Sequence, residues 1–135
     1  MKRREAREAL FTLLYEMTFN TKEELSDTVA NARERRDLED DYILTSIFGI
    51  YEHLDEIDAL IEANSQKWAL NRISKTTLSI LRLSIYEMLY AAIPYTISIN
   101  EAVELAKKFD HDQAPTFING ILNTVAGKKG LKDKQ

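Results

Sequence analysis

Four cations crowd the first seven residues: Lys2, Arg3, Arg4 and Arg7 stand against Glu5 alone, a local net charge of +3 in a chain whose total is −4. Guanidinium and ammonium groups gathered at one end of a chain suit phosphate oxygens, which accept several N–H donors at once. Tyr15 and Phe117 would add ring faces on which unpaired bases stack. Asn119-Gly120 sets an amide with both donors and acceptors beside a residue whose missing Cβ permits close backbone approach. Together these residues describe a surface for single-stranded nucleic acid. Each also has a plainer reading: a solvated terminus, two core aromatics, and an amide that braces a loop.

No other chemistry competes strongly. The chain has no cysteine, hence no disulfide, thiolate nucleophile or zinc–thiolate site. His53 stands among acids and His111 in a loop pattern, neither with a serine or cysteine partner, and no GxGxxG, Walker loop or HExxH occurs. Asp55, Glu56 and Asp58 lack the alternating spacing and glycine of a calcium loop; they read as first-turn acids complementing a helix dipole. Catalysis, a metal and a cofactor are therefore not expected. Residues 20–64 hold thirteen acids and four bases, whereas 66–109 hold six bases and three acids. Because attraction decays over roughly 8 Å in physiological salt, an overall pI near 5.3 leaves room for a local polyanion site while disfavouring indiscriminate binding.

The elements that must position these residues are helical. With 135 residues, 44% of them hydrophobic, but only four Gly and two Pro, the chain suits one all-α domain with short loops. No run approaches the ~20 apolar residues of a membrane span, and no signal-peptide core follows MKRREARE, so a cytoplasmic protein is expected. The organising stretch is Ser74–Ala92, in which Leu78, Leu81, Ile85, Met88 and Ala92 form one stripe and Ile80, Leu83 and Leu89 a second. Its seven large aliphatic side chains are worth roughly 10–20 kcal/mol of gross burial, an upper figure. Ser74 offers a cap, and Pro94 stops the helix.

An amphipathic helix is expected over 2–19, its apolar face built from Ala6, Ala9, Leu10, Leu13, Leu14 and Met17. Phe11 and Tyr15 fall at the edge of that face, and Arg3, Arg4 and Arg7 opposite. Thr21 and Glu24 match a capping box opening an exposed helix to about Arg36, with Arg33, Arg35 and Arg36 as its solvated face. Residues 38–64 read as two helices meeting near Leu54-Asp55, and Trp68 and Leu70 as pins for the connection that follows. Ser98 and Glu101 match a second capping box, for a helix ending at Phe109. Pro115 suits the first turn of a last helix ended by Gly127, with a basic, disordered tail over 128–135 beyond a domain of residues 1–127. No strand is expected.

ILRLSIYEMLY (80–90), Pro94, SINEAVELAKKF (98–109) and FINGILN (117–123) follow one another in order, after RREAREALFTLLYEM (3–17). In these blocks the chain resembles the NusB family of bacterial transcription antitermination factors over nearly its whole length, most weakly across 20–65. The resemblance implies about seven helices in two packed three-helix subbundles. It implies binding to the boxA element of nascent, particularly ribosomal, RNA as a heterodimer with NusE, a small-subunit ribosomal protein. The pair loads onto elongating RNA polymerase with NusA and NusG and suppresses termination, without catalysis; some members form homodimers. By position it assigns RNA contact to Lys2, Arg3, Arg4, Arg7, Tyr15 and Phe117, with Asn119 and Gly120 in the same block. Thr77, Arg82 and Gln113 fall on the protein-partner surface. Two departures, Asp110 where the family commonly has Gly and Thr116 where a base is frequent, would make that end of the RNA site more acidic. Two rivals remain: a protein-only helical adaptor, and the RNA-binding domain of an RNA cytosine methyltransferase, which needs a catalytic segment outside these residues.

Overall fold

The computed structural model describes residues 2–36, 40–66 and 69–134; Trp68 lies outside them. Seven α-helices follow in order: α1 Arg3–Met17, α2 Leu25–Arg36, α3 Asp41–Glu52, α4 Leu54–Ala63, α5 Lys75–Tyr90, α6 Tyr95–Phe109 and α7 Ala114–Lys128. Among the described residues there is no strand.

Helix α5 is the common wall. Every residue from Thr77 to Met88 is buried. One side of α5 packs against α1 and α3, with α4 alongside, and the other against α6 and α7, which also pack on each other. The two three-helix groups thus share α5, as expected of a segment apolar around most of its circumference. Ser74 caps it, accepting the Thr77 N–H at 3.2 Å. Its two buried charged residues are each engaged. Arg82 forks onto Asp58 of α4 with two bonds of 2.9 Å. Glu87 is fully buried and accepts from Arg7 (2.9 Å), Tyr42 (2.7 Å) and Ser98 (3.0 Å). Tyr86 lies so close to α3 that a Cβ at Gly49 would stand 2.6 Å from its ring, so only glycine fits there.

Three local expectations are corrected. Helix α6 starts at Tyr95 behind Pro94, not at Ser98; Ser98 is inside the helix, its hydroxyl spent on Ser84 O and Glu87, while Glu101 points to α1. The pattern of a capping box was present, but Pro94 starts the helix one turn earlier. Thr21 precedes a 3₁₀ turn, Lys22–Glu24, and its hydroxyl donates to the Glu24 carboxylate instead of capping a backbone N–H. Gly127 stays helical, and the left-handed glycine is Gly130 (φ 71°). Beyond it Leu131 turns back onto the core, its N–H bonded to Ala126 O. The break between α3 and α4 falls at His53, beside the expected Leu54-Asp55.

Candidate nucleic-acid interface

Helix α1 runs antiparallel to α5: Arg7 near its start meets Glu87, and Thr18 past its end accepts from Lys75 Nζ at 3.3 Å. The predicted cations therefore sit at one end of a helix about 20–25 Å long, at 1.5 Å per residue, and the N-terminus of α5 sits at the other.

At the first end, Lys2, Arg3 and Arg4 are exposed. Arg3 lies over the Tyr42 ring at 4.2 Å. Arg4 grips Glu101 with bonds of 3.1 and 3.2 Å, and these bonds, with the charge of that carboxylate, push its pKa up. Arg7 is different. It is only 4% exposed, bonded to the buried Glu87 and 3.8 Å from Glu101, so its expected place on the ligand-facing side is corrected. Residue 7 lies three and seven positions before Leu10 and Leu14, on the buried stripe, where a guanidinium is tolerable only because Glu87 faces it.

A belt continues along α1. Lys108 of α6 reaches Glu8 at 2.7 Å, and Phe109, well exposed, stacks on Phe11 at 5.2 Å. Tyr15 and Phe19, the latter 61% exposed, meet edge to face at 5.3 Å, and Lys75 Nζ lies 3.9 Å over the Phe19 ring. Tyr15 thus keeps a free aspect, unlike Phe11, which is buried.

The belt reaches the N-terminal end of α5, near which lies a groove of about 660 Å³ whose lining includes Arg72, Ser74, Thr77, His111, Gln113 and Phe117. Helices α5 and α7 both begin here without an acid in the first turn, so two positive dipole ends converge beside Arg72 and His111. Phe117 is half-buried, packed on the core and part of the groove lining. Gly120 follows it on the same side of α7, but Asn119, about 200° around the helix, faces away and receives the Asn123 amide. Asp110 does not acidify this groove. Its carboxylate is only 4% exposed and accepts the Thr77 hydroxyl at 2.6 Å and the His111 N–H at 2.9 Å. Asp112, in the lining, is the acid that does.

The structure therefore brings Thr77, Gln113 and Phe117 together at the groove, with Gly120 outside its lining, and leaves Lys2, Arg3 and Arg4 at the far end of the belt. It removes Arg7 and Asn119. Arg82 is also corrected: buried and held by Asp58, it braces α4 against α5 and does not present a partner surface. Arg72, Lys75, Phe19, Phe109 and His111 were not singled out from sequence as ligand-facing. The signal for Lys75 was its place immediately after the Ser74 cap.

Fold and surface define an all-helical module with a basic–aromatic belt, and no cluster of side chains able to hold a metal ion occurs among its described residues. The sequence profile of the NusB family matches residues 4–127, and the chain belongs to that family, whose members are non-enzymatic transcription factors. It is 45% identical to a transcription antitermination protein NusB of Thermoanaerobacter sp. (strain X514), over 98% of this chain and 96% of the relative. It is 43% identical to that of Clostridium novyi (strain NT), over 93% and 98%. The solved T. maritima NusB superposes with a TM-score of 0.78 at 32% identity, covering 98% of both chains. The NusB chain from a complex of NusB and NusE with double-stranded RNA shares the fold, with a TM-score of 0.81 at 21% identity. No helix among the described residues is long and apolar enough to cross a membrane.

Proposed function

We propose that this chain is a cytoplasmic transcription antitermination factor that binds boxA-type single-stranded RNA of nascent ribosomal transcripts together with NusE. It then joins the elongating RNA polymerase complex with NusA and NusG. The observation that carries this reading is the belt itself: cations and ring faces alternate from Arg3 to Phe117 along one side of an otherwise acidic body. Lys2, Arg3 and Arg4 supply charge to phosphates; Tyr15 and Phe117 supply faces for bases, with Gly120 letting the strand approach. Gln113 borders the NusE side of the groove, and the buried Thr77, its hydroxyl held by Asp110, shapes the wall behind it.

RNA must displace Glu101 from Arg4, so part of the attraction is offset by breaking an exposed pair, itself worth little. With about three cations neutralising phosphates of a single strand, the logarithm of affinity should fall with log salt at a slope of about −2. Arg3→Ala with Arg4→Ala should flatten that slope to about −0.7 and weaken binding about tenfold, with the melting temperature unchanged. Retained affinity and slope in this double variant would overturn the assignment. One observation favours the protein-only adaptor: Arg4, Lys107 and Lys108 each have a carboxylate partner already. NusE binding without any salt-dependent RNA binding would establish that rival.

A further inference from the structure

At the C-terminal end of α5 lies a second groove, of about 490 Å³, between α3 and α5. Its walls are aromatic. Phe48 is 44% exposed, the buried Tyr86 brings the hydroxyl end of its ring against Gly49, and Tyr90 is stacked on His53 at 3.8 Å with the rings 8° from parallel. Its rim is negative. Glu52 lines it, and Glu56 accepts the Tyr90 hydroxyl.

Three independent features give the groove one electrostatic sign. Helix α5 ends here without a basic residue in its last turn, so its terminal carbonyls add partial negative charge. From Asp37 to Gln66 the sequence contains no lysine or arginine, while α3 and α4 contribute Asp41, Glu52, Asp55, Glu56, Asp58 and Glu62. The tyrosines stay neutral, with electron-rich faces: burial, then Glu56, pushes Tyr90 up to about 12, and burial, then Glu52, pushes Tyr86 up. A polyanion is repelled from such a place. A cation that can lie on a ring is attracted.

We propose that this groove receives an arginine side chain from a basic segment of a partner protein, its guanidinium lying on the exposed Phe48 ring and its N–H groups directed at Glu52. Arginine is favoured over lysine because its planar, weakly hydrated head stacks on aromatic faces and forks onto a carboxylate. The chain already uses the same contact internally, where Arg3 lies on Tyr42. The site is independent of the RNA reading: Ser74 and Tyr90 are sixteen residues apart on α5, so the two grooves are separated by about 24 Å along the helix.

The test titrates the full chain with an acetylated, amidated tetra-arginine peptide, and with its tetra-lysine counterpart, at physiological salt, following backbone amide shifts. Shifts should centre on Thr45, Phe48, Gly49 and Glu52, with the arginine peptide bound more tightly. Phe48→Ala and Glu52→Gln, both at exposed positions, should each weaken binding about three- to fivefold. Asp27→Asn on α2 should leave it unchanged, as should RNA affinity in Phe48→Ala. Equal weakening by Asp27→Asn would reduce the effect to diffuse attraction and overturn the site. Loss of RNA affinity in Phe48→Ala would assign the groove to the nucleic acid, and loss of self-association there would assign it to a second copy of the chain; either outcome overturns the proposal.

Discussion

Replacing Arg7 by alanine separates a structural guanidinium from a ligand-binding one. Arg7 is 4% exposed and Glu87 not at all, so truncation leaves a carboxylate in the core without its counter-charge. Breaking a buried pair from one side costs about 3–5 kcal/mol. Glu87 keeps two hydroxyl donors, Tyr42 and Ser98, which places Arg7→Ala at the lower end, about 3 kcal/mol. At about 2.1 cal/mol/K per residue, 135 residues give an unfolding entropy near 0.28 kcal/mol/K, so the melting temperature should fall about 10 °C. Adding Glu87→Gln to Arg7→Ala replaces the orphaned charge by a neutral acceptor and should recover about 1–2 kcal/mol. Urea and thermal unfolding followed by circular dichroism measure both variants, and RNA titration well below the melting point measures the other half of the claim. Affinity should stay within about twofold of the parent, since Arg7 contributes no phosphate contact. A stability loss under about 0.5 kcal/mol, in the range of an ordinary surface substitution, would refute the buried pair. So would a fully folded Arg7→Ala protein that no longer binds RNA.

Gly49→Ala places a Cβ 2.6 Å from the Tyr86 ring and should destabilise by about 1–3 kcal/mol, read in urea unfolding; a neutral result would mean that α3 and α5 sit further apart. Thr77→Val leaves the buried Asp110 carboxylate without its 2.6 Å donor and should cost about 1–3 kcal/mol, an effect that shrinks when Asp110→Asn is already present. Above neutral pH the tyrosines set the limit. Burial, then neighbouring carboxylates, raises Tyr42 and pushes Tyr90 up to about 12, and Tyr51 and Tyr86 are raised chiefly by burial, whereas an unfolded tyrosine ionises near 10. A raised folded pKa gives stability that is complete below about pH 10 and is lost as pH climbs toward 12, so alkaline unfolding should set in over that interval. Phenolate absorbance of native and urea-unfolded protein should then separate, and coincident titration curves would contradict this.

The fold was largely legible because its strongest signals are periodic. The doubled stripe of α5 announced a helix with neighbours on several sides, and burial from Thr77 to Met88 follows from it. Local boundary signals fared worse where two competed. Ser98 and Glu101 have the spacing of a cap, yet Pro94 starts α6 one turn earlier and Ser98 serves Glu87 instead. Charge misled in a different way. Arg7 resembled its neighbours Arg3 and Arg4 until the burial of Glu87, eighty residues away, showed what it is for. Glu87 was visible as a lone acid in an apolar helix, but Arg7 was read as lying opposite the apolar face of its own helix, and their pairing stayed hidden because nothing local joins them. Asp110 likewise read as an added negative charge at the ligand surface, whereas Thr77 turns it inward. The groove beside α7 was half legible: Phe117 was read from its ring, Thr77 and Gln113 came through the family resemblance, but Arg72 and His111 enter it from turns whose course no periodicity specifies.

Since α5 closes both triads, neither half of the chain holds an enclosed core by itself. A cut in the turn at residues 91–94 would strand α6 and α7 as a hairpin with one oily side bare, and leave α5 half undressed in the other piece. The two fragments should therefore find each other and restore the whole, while the uncut chain melts in a single step whose calorimetric and van't Hoff enthalpies agree.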